Sequence, residues 1–172
     1  AMPPIQVPYD RLAAVAYAHR WAYRRATDYY DYERLGGDCT NFASQCIYAG
    51  SGVMDFTPTF GWYYRDANDK APAWTGVEYF YRYLIRTGGS IGPFATEISL
   101  EEIQPGDLIQ LDMGLGRFSH TPVVVAVGKR PTSRNTLVAA HSADTDYRPL
   151  VTYPAQRIRC LHILGVRKQL DH

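Results

Sequence analysis

The sequence predicts an α+β fold, with helices from the first half of the chain packed on an antiparallel sheet or partly closed barrel from the second. Three observations predict it. Apolar residues recur at helical spacing within residues 9–90, and β-rich runs bounded by Gly, Pro and Asn fill residues 105–167. No internal repeat, low-complexity tract or linker separates the two stretches, so residues 1–172 read as a single domain.

Pro8 and Asp10 open a first predicted helix that runs to about Arg25, with Leu12, Val15, Ala16, His19 and Tyr23 at helical spacing. A tyrosine-rich loop, residues 29–35, leads to Gly36 and Gly37. Asp38 is then placed to N-cap a second helix over residues 39–49, which Gly50 would end. After a long aromatic loop, residues 56–74, Thr75-Gly-Val-Glu78 reads as a capping box. It starts a third helix with the stripe Val77, Phe80, Tyr81, Leu84 and Ile85. From there the punctuation changes. Gln104-Pro-Gly-Asp107 is a turn feeding a strand at 108–111; further strands are expected at 122–127, 136–141 and 157–166.

Composition narrows the function classes. The chain is 46% hydrophobic and 20% charged, and 18 basic against 17 acidic residues give a net charge of +1. With no basic block or acidic tail, nothing points to nucleic acid, and no window approaches the ~18 apolar residues of a membrane-inserted helix. Residues 1–10 lack the charged and apolar regions of a signal peptide. Localisation stays open: cytoplasmic if Met2 is the native start, secreted or cell-envelope if Ala1 is the trimmed end of a precursor. The 14 tyrosines suit packing under long loops or a cleft that grips a sugar or peptide. Cys39 and Cys46 lie seven positions apart on one predicted helix, about 10 Å of rise, so they are expected to be free thiols.

Gly36-Gly-Asp-Cys-Thr-Asn-Phe42 is the most informative stretch. Cys39 falls at the first position of a helix, where unpaired N–H groups and the helix dipole favour an anion and can lower a thiol pKa from ~8.5. Two glycines before it let the backbone turn sharply and a substrate approach. An oxyanion would be met by the Cys39 N–H and one further donor, for which Tyr32 is the candidate. The alternative is a small, buried first-turn cysteine, and spacing by itself leaves both open. Cys46, on the apolar face, reads as core.

A nucleophilic thiol needs a base. His19 lies among arginines in the first helix, His162 inside the last strand and His172 at the chain end. His120 and His141 remain, each at the end of a predicted strand, where function concentrates. Pairing Val127 with Thr136 or with Arg134 puts position 143 or 141 opposite His120, and in both registers His120 and His141 share a face. Lone hydrogen-bonded histidines are the plainer alternative. Cys39, Cys46, His120 and His141 match no short metal-ligand spacing, so neither metal nor cofactor is expected.

Together these residues resemble the bacterial "putative amidase domain" family, grouped with NlpC-like and CHAP-like peptidases in the papain-like superfamily. The resemblance rests on Tyr29-Tyr-Asp-Tyr32, Gly36 to Phe42, Ser44-Gln45-Cys46, Gly61-Trp62-Tyr63-Tyr64, Trp74-Thr75-Gly76, Gln104 to Asp107, Phe118-Ser-His120 and Ala139-Ala-His141. It implies a Cys-bearing helix packed against an antiparallel sheet that carries the histidine and a third polar residue. Cys39 would be the nucleophile and His120 the general base. His141 would orient the base, with Asp144 and Asp146 just behind it as rivals. Thr121-Pro122 departs from the family's usual serine or alanine followed by an aliphatic residue, with little expected effect on chemistry.

The expected reaction is hydrolysis of a peptide or cell-wall (peptidoglycan-type) amide through a thioester. Two alternatives stand beside it. One is acyl transfer from the same thioester to an amine. The other is a non-catalytic module whose aromatic loop, residues 60–74, binds a glycan or peptide.

Overall fold

A computed structural model of the chain describes residues 2–170 and has an α+β architecture, with helices set against a curled antiparallel half-barrel sheet. Ala1 and His172 lie outside the described residues. In chain order the elements are β1 (Ile5–Val7), α1 (Arg11–Trp21), α2 (Cys39–Ser51), β2 (Tyr64–Asp66), β3 (Asp69–Lys70), α3 (Pro72–Thr75) and α4 (Val77–Leu84). Then come β4 (Gly92–Ile98), β5 (Leu108–Asp112), β6 (Val123–Ala126), β7 (Leu137–Ala140), β8 (Thr145–Pro149) and β9 (Arg157–Lys168). The main sheet runs β1-β9-β5-β6-β7-β8, with β4 paired to β9 as well; β2 and β3 form a separate hairpin. Among the described residues no helix is long and apolar enough to cross a membrane.

Strand alternation builds two cores. Leu108, Val123, Ala139, Leu161 and Ile163 face the helices, meeting Phe42, Ile47, Trp62, Trp74 and Phe80. Their neighbours in sequence, Ile109, Leu111, Val124, Val138 and Cys160, point to the other face and pack with Ile103, Leu150 and Tyr153. Trp62 and Trp74, in the aromatic loop, are fully buried with ring centroids 4.7 Å apart. Their indoles bond inward, Trp62 Nε1 to Ser44 Oγ at 3.1 Å and Trp74 Nε1 to Asn41 Oδ1 at 3.0 Å. These two rings are packing, and the glycan-binding alternative loses the indoles it relied on.

Several expectations about the helices need correction. Helix α1 stops at Trp21, and its buried residues are Ala14 and Ala18; Leu12 is 85% exposed. The small side chains face α2 because the two helices come close. Helix α2 runs past Gly50 and is capped by Gly52 at φ 71°. The capping box does not form: Thr75 closes α3, and Gly76 precedes α4 with no side-chain cap. Strands β1 to β4 and β8 were not anticipated. β4 opens on Gly92-Pro93, and β8, Thr-Asp-Tyr-Arg-Pro, is an edge strand of low β propensity.

One bulge decides the site. Val123 pairs with Ala139 and Val124 with Val138, but Ala126 pairs with Leu137. The predicted odd register holds only beyond this bulge; on the side nearer His120 the pairing is displaced by one residue, which swaps faces. His120 bridges to Leu111, on the second core's face, while His141 stacks on Phe42 in the first, ring centroids 4.0 Å apart.

Gly50 sets how closely the helices approach. A Cβ there would strike the Tyr9 ring and lie 2.7 Å from the Asp10 carbonyl oxygen. Gly→Ala inside a helix ordinarily gains ~1 kcal/mol, but overpacking against backbone costs about 1–3 kcal/mol. Gly50→Ala is therefore expected to lower stability in urea unfolding. An equal or higher midpoint would mean that α1 and α2 are not this tightly joined.

Candidate active site

Gly36 and Gly37 both take left-handed φ values, 93° and 98°, delivering the chain to the start of α2. At Gly37 a side chain would also meet Ser142 Oγ at 2.9 Å. Asp38, next in line, is almost wholly buried. It sits at the N-cap position but does not cap with its side chain, contrary to expectation. Instead Oδ1 accepts from the Tyr32 N–H (2.8 Å) and from Asn41 Nδ2 (2.9 Å), while Oδ2 meets His141 Nδ1 at 2.5 Å. Arg25 Nε lies 3.7 Å from Oδ2.

His141 is thereby fully occupied. Its Nε2 faces the Trp21 carbonyl at 2.8 Å, and a carbonyl only accepts, so Nε2 is protonated. A second proton lies between Nδ1 and the Asp38 carboxylate. No ring nitrogen is left for His120, so the expected His141–His120 contact is replaced by His141–Asp38. The rivals are placed elsewhere too. Asp144 is held by Arg25 at 2.8 and 3.1 Å, and Asp146 meets His19 at 2.7 Å.

Cys39 begins α2 directly after this anchor, and all three cysteines are free. With His120 it lines a cavity of 320 Å³, together with Gly36, Ser119, Arg148 and Tyr153 among others. Tyr32 is not part of that lining; its backbone is pinned by Asp38, which leaves the proposed second oxyanion donor unassigned there. A larger cavity of 440 Å³, bounded by Asp55, Phe60, Tyr79 and Tyr83, contains no cysteine or histidine. Size does not single out the candidate site; a thiol and an imidazole on one cavity lining do.

The thiol rests in its protonated form. Sγ lies 3.8 Å from the Ser119 carbonyl, which can only accept its proton, and 3.8 Å from Thr40 Oγ1. Burial pushes the Cys39 thiol up from its ordinary value, opposed by hydrogen bonds from Thr40 and the backbone at Thr121. Burial thus works against the lowering expected from the helix terminus. Burial, with a smaller contribution from Arg148, brings the His120 imidazole down to about 4. At neutral pH the free protein holds a neutral thiol and a neutral imidazole on one cavity lining. Among the described residues the His120 ring makes no hydrogen bond; its neighbour is the Tyr153 ring, 5.5 Å between centroids.

Thr121 matters more than expected. Its Oγ1 contacts Thr40 Oγ1 at 3.2 Å and accepts from Gln110 Nε2 at 3.3 Å, fastening the strand that follows His120 to the helix that bears Cys39. Arg148 and Tyr153 were missed. They sit in and after the edge strand β8, where the sequence shows only a Tyr-Arg-Pro and a Tyr-Pro in a connection, and loops of that kind often carry function.

Comparison with known proteins agrees with this arrangement in extent. The family model described as "putative amidase domain" matches residues 8–164. "Uncharacterized protein YhbB" of Bacillus subtilis (strain 168) is 35% identical over 143 residues, which is 81% of this chain and 43% of that relative. The chain thus spans less than half the length of that relative. No solved structure matches it. With a match that runs from before α1 into β9 and takes in both Cys39 and His120, the chain belongs to the putative amidase domain family.

Proposed function

We propose that the chain is a papain-like, NlpC-like cysteine amidase in which Cys39 attacks a peptide or cell-wall peptide amide and His120 serves as its base. The family's name points to amide hydrolysis. The observation that supports a cysteine mechanism is the shared cavity: a thiol at a helix N-terminus and a histidine whose ring makes no hydrogen bond among the described residues line the same space. Because both groups are neutral at rest, proton transfer from Sγ to His120 accompanies attack rather than preceding it. The S–C bond forms as the carbonyl π bond opens to an oxyanion beside the N-terminal N–H groups of α2. His120 then returns the proton to the departing amine, leaving a thioester that water, activated by the same imidazole, hydrolyses.

His141 acts at one remove. It holds Asp38, and Asp38 holds the residue bearing the nucleophile in place. His141 is a positioning residue in this scheme, with no contact to the reacting atoms.

Cys39→Ala is expected to abolish release of amines from peptide amides and cell-wall peptide fragments with the fold intact. Iodoacetamide should modify Cys39 and spare Cys46 and Cys160, which do not line the cavity. Activity at Cys39→Ala, or equal labelling of all three thiols, would overturn the assignment.

The pH dependence follows from the two shifts. His120 accepts a proton only when neutral, so kcat/KM should fall as pH drops through about 4. With the thiol raised, alkylation of Cys39 should climb steadily from pH ~6 to ~9, since the thiolate fraction grows with pH. A flat rate across that range would instead report a resting thiolate–imidazolium pair.

His141→Ala removes one partner of a buried, hydrogen-bonded charge pair, so a stability loss of about 3–5 kcal/mol is expected. Asp38→Asn should cost clearly less, because an amide still offers an acceptor to Tyr32 and a donor to His141 Nδ1. If His141→Ala unfolds normally in urea and only kcat falls, His141 is orienting His120 directly after all.

A further inference from the structure

The cavity around Cys39 and His120 holds donors that the hydrolytic steps above do not use. None of its lining side chains is acidic, and one is a permanent cation, Arg148. That guanidinium is fixed from one side only, through exposed hydrogen bonds. Nε donates to Thr152 Oγ1 at 2.7 Å and Nη2 to the Thr152 carbonyl at 3.1 Å, with the group 3.6 Å above the Tyr153 ring. Among the described residues Nη1 has no hydrogen-bond acceptor and the guanidinium no carboxylate partner. Beside it the Tyr153 hydroxyl is buried with no hydrogen-bond partner, in a residue only 9% exposed. Buried donors without acceptors are rare because each forfeits the hydrogen bonds it would make to water.

One buried, unfilled donor and an unopposed cation at an acid-free cavity ask for an anionic oxygen. A carboxylate suits them best: its planar pair of acceptors matches the guanidinium edge, and one oxygen can also take the phenolic proton. We propose that Arg148 and Tyr153 form a carboxylate subsite, so that the substrate is an amide bearing a free carboxylate within a few bonds of the scissile carbonyl. This rests on the assignment of Cys39 as the nucleophile. The separation is set by the Tyr153 ring lying 5.5 Å from that of His120. Arg148 also helps to hold the His120 pKa down, so a bound carboxylate relieves that repulsion and strengthens the base when substrate arrives.

Two haloacetyl reagents of nearly equal size test the subsite without knowledge of the natural substrate. Iodoacetate carries the carboxylate and iodoacetamide does not; each forms an S–C bond to Cys39 and releases iodide. In the full-length protein, the iodoacetate-to-iodoacetamide rate ratio at Cys39 should exceed that of a free small thiol by about tenfold and shrink with added salt. Arg148→Gln should return the ratio to the free-thiol value, Arg148→Lys should keep part of it, and Tyr153→Phe should reduce it less than Arg148→Gln. A wild-type ratio no higher than the free thiol's overturns the subsite while leaving Cys39 as nucleophile. So does an equal slowing of both reagents in Arg148→Gln, which marks a structural arginine. If neither reagent modifies Cys39, the nucleophile assignment falls and the subsite with it.

Discussion

The buried carboxylate of Asp38 is the constraint on which the rest of the site depends. Its two oxygens meet the N–H of Tyr32 in the entering loop, Asn41 one turn into α2, and His141 at the end of β7. Through His141 they also reach the Trp21 carbonyl at the end of α1. Four separate segments are therefore tied to one side chain, and the next residue is Cys39. A charge taken this far from water is tolerated only with its hydrogen bonds filled. Satisfying Asp38 and placing Cys39 are thus one requirement.

The same logic accounts for the motif around Cys39. Gly36 and Gly37 supply the left-handed turn, and Gly37 leaves room for Ser142. Thr40 reaches Thr121, Asn41 joins Asp38 to the Trp74 indole, and Phe42 stacks on His141. Only Cys39 in this run faces the cavity with a reactive atom. Its neighbours orient it.

Much of this was legible in the sequence, because local patterns carry it. The α+β class, helix α2 beginning at Cys39, and the strands beside His120 and His141 followed from periodicity and glycine punctuation. What was not legible is what depends on register and on long-range partners. A single extra residue in β6 puts His141 on the opposite face from His120, and no local signal distinguishes a bulge within Val123-Val-Val-Ala126 from a regular strand. The buried face of α1 was misread because its residues are alanines, whose burial comes from the approach of α2 rather than from their own hydrophobicity. Arg148 and Tyr153 enter the site through an edge strand too polar to be read as one.

The account places a neutral thiol and a neutral imidazole in one cavity, with His141 committed to Asp38. A crystal structure of the protein treated with a peptide nitrile tests this most directly, since thiol addition gives a thioimidate whose nitrogen takes up the thiol proton. The account predicts continuous density from Cys39 Sγ to the inhibitor, His120 within hydrogen-bonding reach of that nitrogen, and His141 still paired with Asp38. An adduct on any other residue, or a His120 ring turned away from the thioimidate, would contradict it.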